Sequence, residues 1–311
     1  VSIPTPQSKH RAARLSPEVI ARLHGLQLRA RCVVDEVSAG KHRSAYRGGA
    51  AEFTEYREYV PGDDPRRVDW KTYAKSDRLY LKQFEAETHF NCQLLVDPSA
   101  SMSYRSTSAP LSKWEYAQVL ALALVHLVIR QRDRVGMALL DDRPGPLLPP
   151  GNGPQQMERI EHELEQTRAD RTFDLGQALT SIANRLTRRG VIVIVSDFLG
   201  SIDSTLRGIR ELASRKHEVL ALQILDAAEM EFSFDGSSRF LPLEAGTQVV
   251  IPPRAIRHAY LEAMRQFLEQ FDAGCQAADV FYARTTTSEP FDQPLRRLLA
   301  AHAFHRGWLE G

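Results

Sequence analysis

Val191-Ile192-Val193-Ile194-Val195 is an unbroken run of five β-branched residues, preceded by Gly190 and followed by Ser196-Asp197. β-branched side chains favour the extended backbone, and a strand without polar alternation has no face to offer to water. The run therefore predicts a strand inside a sheet that is covered on both sides, which is the habit of parallel sheets. Residues 92–96, apolar except for Gln93, make a second short run, closed at once by Asp97-Pro98. Both runs end in a carboxylate. Open α/β sheets gather their ligands at this carboxyl-terminal edge.

From residue 91 onward the pattern alternates between strands and helices. Helices are predicted over 113–132, 155–166, 175–186, 206–214, 253–271 and 291–303, with strands over 134–140, 218–225 and 277–283. The Pro/Gly-rich stretch to Pro154 reads as a loop, and 229–252 as a β-hairpin-like insertion. This order predicts an α/β fold: a doubly wound, mostly parallel sheet with helices on both faces.

Residues 1–34 read differently, as a polar tail followed by a helix opened by Ser16-Pro17. From about Val33 to Phe90 the pattern shifts to short extended runs, so 35–90 is expected to form a small β-rich module, with a strand at 79–84. Its densest part is Tyr59-Val60-Pro61-Gly62-Asp63-Asp64-Pro65-Arg66-Arg67-Val68-Asp69-Trp70-Lys71. Pro61-Gly62 signals a turn, and Asp63 or Asp64 can close another at Pro65. Charges of both signs around Trp70 leave three readings open: a solvated surface, a salt-bridge network over an aromatic anchor, or a docking surface that uses Arg66, Arg67 and Asp69.

Composition narrows the function classes. Lys plus Arg number 40 against 39 Asp plus Glu, so no global field points to nucleic acid or to an acidic membrane. Cys32, Cys92 and Cys275 are far apart and match no zinc or disulfide spacing, which suggests a reducing compartment. No apolar run reaches the length of a membrane span, and the first residues carry no apolar signal core. A cytoplasmic protein is expected. Phosphate-cradling glycine motifs are also missing from the sequence.

The loop after the first strand reads Asp97-Pro98-Ser99-Ala100-Ser101. One carboxylate and two hydroxyls at alternate positions are the oxygen donors that a hard cation such as magnesium takes. Alone the pattern is weak, because Asp and Ser also bond the backbone of ordinary turns. Together with Thr172 before a helix, and Asp197 after the β-branched strand, it resembles the metal-ion-dependent adhesion site of von Willebrand factor type A domains. The 59–71 segment, Lys113-Trp114-Glu115-Tyr116-Ala117 and Ser196-Asp197-Phe198 further resemble a bacterial branch, the "domain of unknown function 58" family.

The resemblance implies a von Willebrand factor A, Rossmann-like domain with Mg2+ or Mn2+ bound by Ser99, Ser101 and Thr172, with Asp97 and Asp197 close by. It implies a non-enzymatic module for a partner presenting an acidic side chain, and an adaptor or co-chaperone role beside a MoxR-type AAA ATPase. The chain departs from the pattern at Asp170-Arg171, where adhesion-type sites commonly have Gly. That raises Arg171 as a cover and Asp174 as a competing ligand. Two rival readings stand: a metal-free scaffold in which Asp97, Ser99 and Thr172 bond one another, and a hydrolase using Asp97 or Ser99.

If Trp70 anchors the upstream segment, Trp70→Ala lowers stability by roughly 3–5 kcal/mol, as buried aromatic truncations do. Thermal unfolding checks it; an unchanged Tm favours the docking reading.

Overall fold

The computed structural model describes residues 16–41, 55–58, 73, 79–83, 90–143, 145–232, 239–240, 249–250 and 253–309. Two compact units result. One comprises residues 1–43 with 90–311, and the other residues 44–89. The 59–71 segment, with Pro61, Gly62, Asp63, Asp64, Arg66, Arg67, Asp69 and Trp70, lies outside the described residues.

The chain begins with a short helix, α1 (Pro17–Ala21), with Pro17 in its first turn, and continues into α2 (Leu26–Lys41). Here the structure departs from the sequence reading, which placed extended runs from about Val33. Ala30, Val33, Val34 and Val37 recur at helical spacing and are buried in the main core. β-branched Val33, Val34 and Val37 favour strands in isolation, but tertiary burial of one helical face overrides that preference. The first unit therefore reaches past residue 34. In the second unit, β1 (Glu55–Glu58) pairs antiparallel with β2 (Tyr80–Gln83).

The remaining strands are β3 (Asn91–Val96), β4 (Arg134–Leu139), β5 (Leu147–Gly151), β6 (Val191–Ser196), β7 (Glu218–Leu225), β8 (Arg239–Phe240), β9 (Val249–Val250) and β10 (Phe281–Thr286). Between and after them lie α3 (Lys113–Arg130), α4 (Pro154–Gln166), α5 (Leu175–Arg185), α6 (Ile202–Ser214), α7 (Ala227–Glu231), α8 (Pro253–Gln276) and α9 (Asp292–Leu309). Six strands form one sheet in the order β10-β7-β6-β3-β4-β5, parallel throughout except for β5. This is the doubly wound α/β sheet that the strand pattern predicted.

Side chains alternate between two cores. Leu94, Val96, Val193 and Val195 face α2, α3 and α9, while Leu95, Ile192 and Ile194 face α5, α6 and α8. β8 and β9 form a separate antiparallel pair within the expected insertion.

Two further boundaries differ from the sequence reading. β5 occupies part of the stretch read as a loop. It lies at the sheet edge, where Pro149 and Pro150 remove no ladder hydrogen bond that a neighbour needs. β10 starts at Phe281 because α8 runs on to Gln276, keeping Phe271 and Cys275 buried.

Helices α5 and α6 pack at glycine contact. A Cβ on Gly176 would run into the Ser204 carbonyl, and one on Gly208 would lie 2.6 Å from the Gly176 carbonyl oxygen. Backbone faces backbone there, so neither side can yield cheaply. Gly176→Ala is expected to lower stability by roughly 1–3 kcal/mol through overpacking, measured as a fall in the urea midpoint with unchanged slope.

Candidate functional site

β3 and β6 are neighbours whose onward connections run to opposite sides of the sheet, so their carboxyl ends flank the topological switch point. Asp97 and Asp197 sit there, 3% and 2% exposed. Pro98 ends β3 because it lacks an N–H and disfavours helix at the residue before it. The chain then turns on Asp97 itself: its Oδ1 accepts from Ser99 N at 2.8 Å, and a short 3-10 turn follows over Ala100–Ser103. Its Oδ2 accepts from the buried Ser196 hydroxyl at 2.5 Å, and that hydroxyl accepts from Phe198 N at 2.8 Å. The turn after β6 puts Phe198 in the left-handed region (φ 54°), an uncommon conformation for a bulky residue. Its ring, buried against Phe271 at 4.8 Å, holds the turn in place.

Ser99 and Ser101 place their hydroxyl oxygens 3.1 Å apart. The Thr172 loop is brought beside them by backbone pairing. Ala100 N donates to Arg171 O at 2.8 Å and Arg171 N donates to Pro98 O at 3.3 Å. Thr172, the next residue, is exposed. Arg171 itself is tied to Asp141 at 2.9 Å, on the loop after β4. Asp174 is the N-cap of α5, its Oδ1 accepting from Gln177 N at 2.7 Å and from the Ser204 hydroxyl at 2.6 Å. The two residues raised as cover and competitor thus each have a fixed partner.

Three strand ends contribute buried carboxylates, and each is satisfied differently. Asp226, after β7, accepts from Ser106 N and Ala228 N at 3.0 and 2.9 Å. Asp197 accepts from Leu199 N at 3.0 Å and from the Lys113 ammonium at 2.7 Å. Asp97 has only neutral donors, and among the described residues no Lys or Arg pairs with it. Burial, and then the nearby charge of Asp197, push its carboxyl up to about 6 despite the Ser196 and Ser99 hydrogen bonds that oppose the shift.

Lys113 is the residue that sequence reasoning missed. It is fully buried at the first position of α3, where a cation opposes the helix dipole. Its ammonium lies 2.7 Å from both Asp197 Oδ2 and Glu229 Oε1, and 5.8 Å from the centroid of the Tyr104 ring. Burial pulls its pKa down, but the two carboxylates more than compensate and hold it up at about 12. Glu229 is held above the usual carboxylate range, because burial outweighs the attraction of Lys113. The sequence did carry a signal for the position of Lys113. Ser112-x-x-Glu115 is a capping box, with bonds of 3.1 and 2.8 Å, and it fixes Lys113 at the helix start facing the sheet edge.

A divalent ion can be tested against this donor set. In octahedral magnesium coordination, with bonds of 2.0–2.1 Å, adjacent ligand oxygens are about 2.9 Å apart. Ser99 and Ser101 are hydrogen-bonded to each other at 3.1 Å, and the same separation lies within a few tenths of an ångström of that spacing. Asp97 supplies a buried negative charge without a cation, so Asp97, Ser99 and Ser101 fit. Asp197 is already committed to Lys113. Among the described residues no cluster of three or more His, Cys, Asp or Glu side chains forms a metal site, so any ion here depends on hydroxyl oxygens.

Residues 55–269 match the family described as "Protein of unknown function DUF58". The uncharacterized protein Rv1480 of Mycobacterium tuberculosis is 32% identical over 233 residues, 74% of this chain and 72% of that one. Among solved structures, the conserved hypothetical protein BatB from Bacteroides thetaiotaomicron is similar at 15% identity and a TM-score of 0.46, over 69% of this chain and 99% of that chain. The SpRpn10 VWA domain is similar at 10% identity and 0.42, over 67% and 94%. Among the described residues no helix is long and apolar enough to cross a membrane.

The Asp97 carboxyl sets a pH dependence. Its folded-state pKa lies above the ordinary value of 3.8, so between about pH 4 and 6 the folded state binds the extra proton. Stability from this group is present in acid and is lost as pH rises through 6. In chelator, the wild type is therefore expected to lose stability relative to Asp97→Asn as pH rises from 4 to 7.5, by on the order of 3 kcal/mol. The difference should shrink through pH 6 to 4 and vanish only below about pH 4, as thermal unfolding across that range would register.

Proposed function

The chain belongs to the DUF58 family, and from that premise we propose that it is a non-enzymatic protein–protein interaction module whose contact face is the sheet edge around Asp97. The observation that carries this reading is a buried carboxylate with neutral donors alone, set beside a hydrogen-bonded pair of hydroxyls. Asp97, Ser99, Ser101 and Thr172 would hold Mg2+ or Mn2+. Bound there, the ion supplies an open position for an acidic side chain of a partner. The partner class implied by the family resemblance is a MoxR-type AAA ATPase or its client, in the cytoplasm, with this chain as adaptor.

Binding is favoured over hydrolysis by the local contacts. Ser99 Oγ meets Ser101 Oγ, which is not a general base, and the Asp97 oxygens are engaged by Ser99 N and Ser196 Oγ. One observation favours a second reading, a metal-free scaffold of the same fold: Lys113 already neutralises Asp197.

Calorimetric titration of the chelator-stripped protein with Mg2+ and Mn2+ tests the reading. Saturable binding is expected in the wild type and is expected to be lost in Asp97→Ala, with circular dichroism checking that the variant stays folded. Complex formation with the ATPase should then fall in chelator. An Asp97→Ala protein with full metal affinity would remove the site assignment. A wild type without affinity, whose ATPase complex survives chelation, would establish the scaffold instead.

A further inference from the structure

A buried cation at a helix N-terminus needs an explanation, because the helix dipole disfavours it and the capping box of Ser112 and Glu115 is complete without it. The contacts supply one. Lys113 spans the Asp197 turn after β6 and Glu229 in α7, residues 84 and 116 positions away in sequence. With Leu199 N on the other oxygen, the Asp197 carboxylate is engaged on both sides by the chain's own groups. Glu229, 13% exposed at the rim, shares the same ammonium.

We propose that Lys113 sets the metal affinity of the site, as an internal cation that reserves Asp197 so that a divalent ion at Asp97, Ser99 and Ser101 is met by one carboxylate rather than two. The inference rests on the metal-site reading above and states what sets its affinity. Divalent affinity at oxygen sites follows the number of charged ligands, and a fixed ammonium nearby adds repulsion that a dry interior screens poorly. Glu229 draws part of the Lys113 charge away from Asp197. Its removal should strengthen the reservation and subtract a negative charge, and both effects weaken metal binding.

The full-length chain is titrated with Mn2+, with free ion followed by electron paramagnetic resonance, and Tm is recorded with and without Mn2+. Lys113→Met is expected to bind Mn2+ about tenfold or more tightly than the wild type, because Asp197 becomes a free ligand. It should also start from a lower Tm and regain much of the loss at saturating Mn2+, since the ion replaces the missing countercharge. Glu229→Gln is expected to bind more weakly than the wild type.

Lys113→Met affinity equal to or below that of the wild type overturns the proposal, as does a Glu229→Gln protein that binds as tightly as the wild type or more so. Should Lys113→Met not fold without metal, Glu229→Gln decides. Wild-type binding that is lost in Asp97→Ala but unmoved by Lys113→Met removes this inference alone. Binding in no variant removes the metal-site reading with it.

Discussion

The sheet edge depends on how its buried negative charge is compensated. Three adjacent strands, β7, β6 and β3, end in Asp226, Asp197 and Asp97, each less than 4% exposed. An isolated buried carboxylate is costly, so each must be paired, hydrogen-bonded or neutralised. Asp226 is met by backbone amides, Asp197 by Lys113 and Asp97 by hydroxyl and amide donors alone. The Lys113 contact is the one on which the arrangement turns. Removing one partner from such a pair typically costs roughly 3–5 kcal/mol, because the other is left as an uncompensated charge.

That cation is delivered by the helix that fills the main core. Along α3, Trp114, Tyr116, Ala117, Leu120 and Leu124 are buried, and the Tyr116 hydroxyl donates to the Glu289 carbonyl at 2.9 Å. Core packing fixes the axis of α3, and the capping box fixes where the helix begins. The position of the ammonium follows from both. The α7 capping box does the same for Glu229, whose Oε2 accepts from Asp226 N at 2.8 Å while Oε1 faces Lys113. Helix starts, usually a matter of local stability, here aim charges into the site.

The buried strands were legible in the sequence because burial on both faces leaves a simple mark: short, largely apolar runs, β-branched throughout at 191–195, each closed by a carboxylate. Asp97 and Asp197 could be placed for the same reason. The edge strand β5 could not, since an edge tolerates the prolines that argue against strands elsewhere. The far end of α2 was also hidden, because Val33, Val34 and Val37 have strand-like side chains and only packing makes them helical. Lys113 and Glu229 were illegible as a pair. Nothing local links residues so far apart in the chain, and a lysine beside an amphipathic stripe reads as solvent-facing until the fold closes over it. The Ser112-x-x-Glu115 box was visible, but it marks where a helix starts rather than what its first residue meets.

The charge arrangement also bears on what this edge can bind. The Lys113 ammonium is divided between Asp197 and Glu229, and the charge of Asp197 in turn acts on Asp97. A chain of three carboxylates thus has one internal cation, and the deficit falls on Asp97, whose own donors are neutral. A proton meets that deficit below about pH 6. A divalent ion would meet it at higher pH, and proton and metal then compete for one carboxylate, so metal affinity falls as the group protonates.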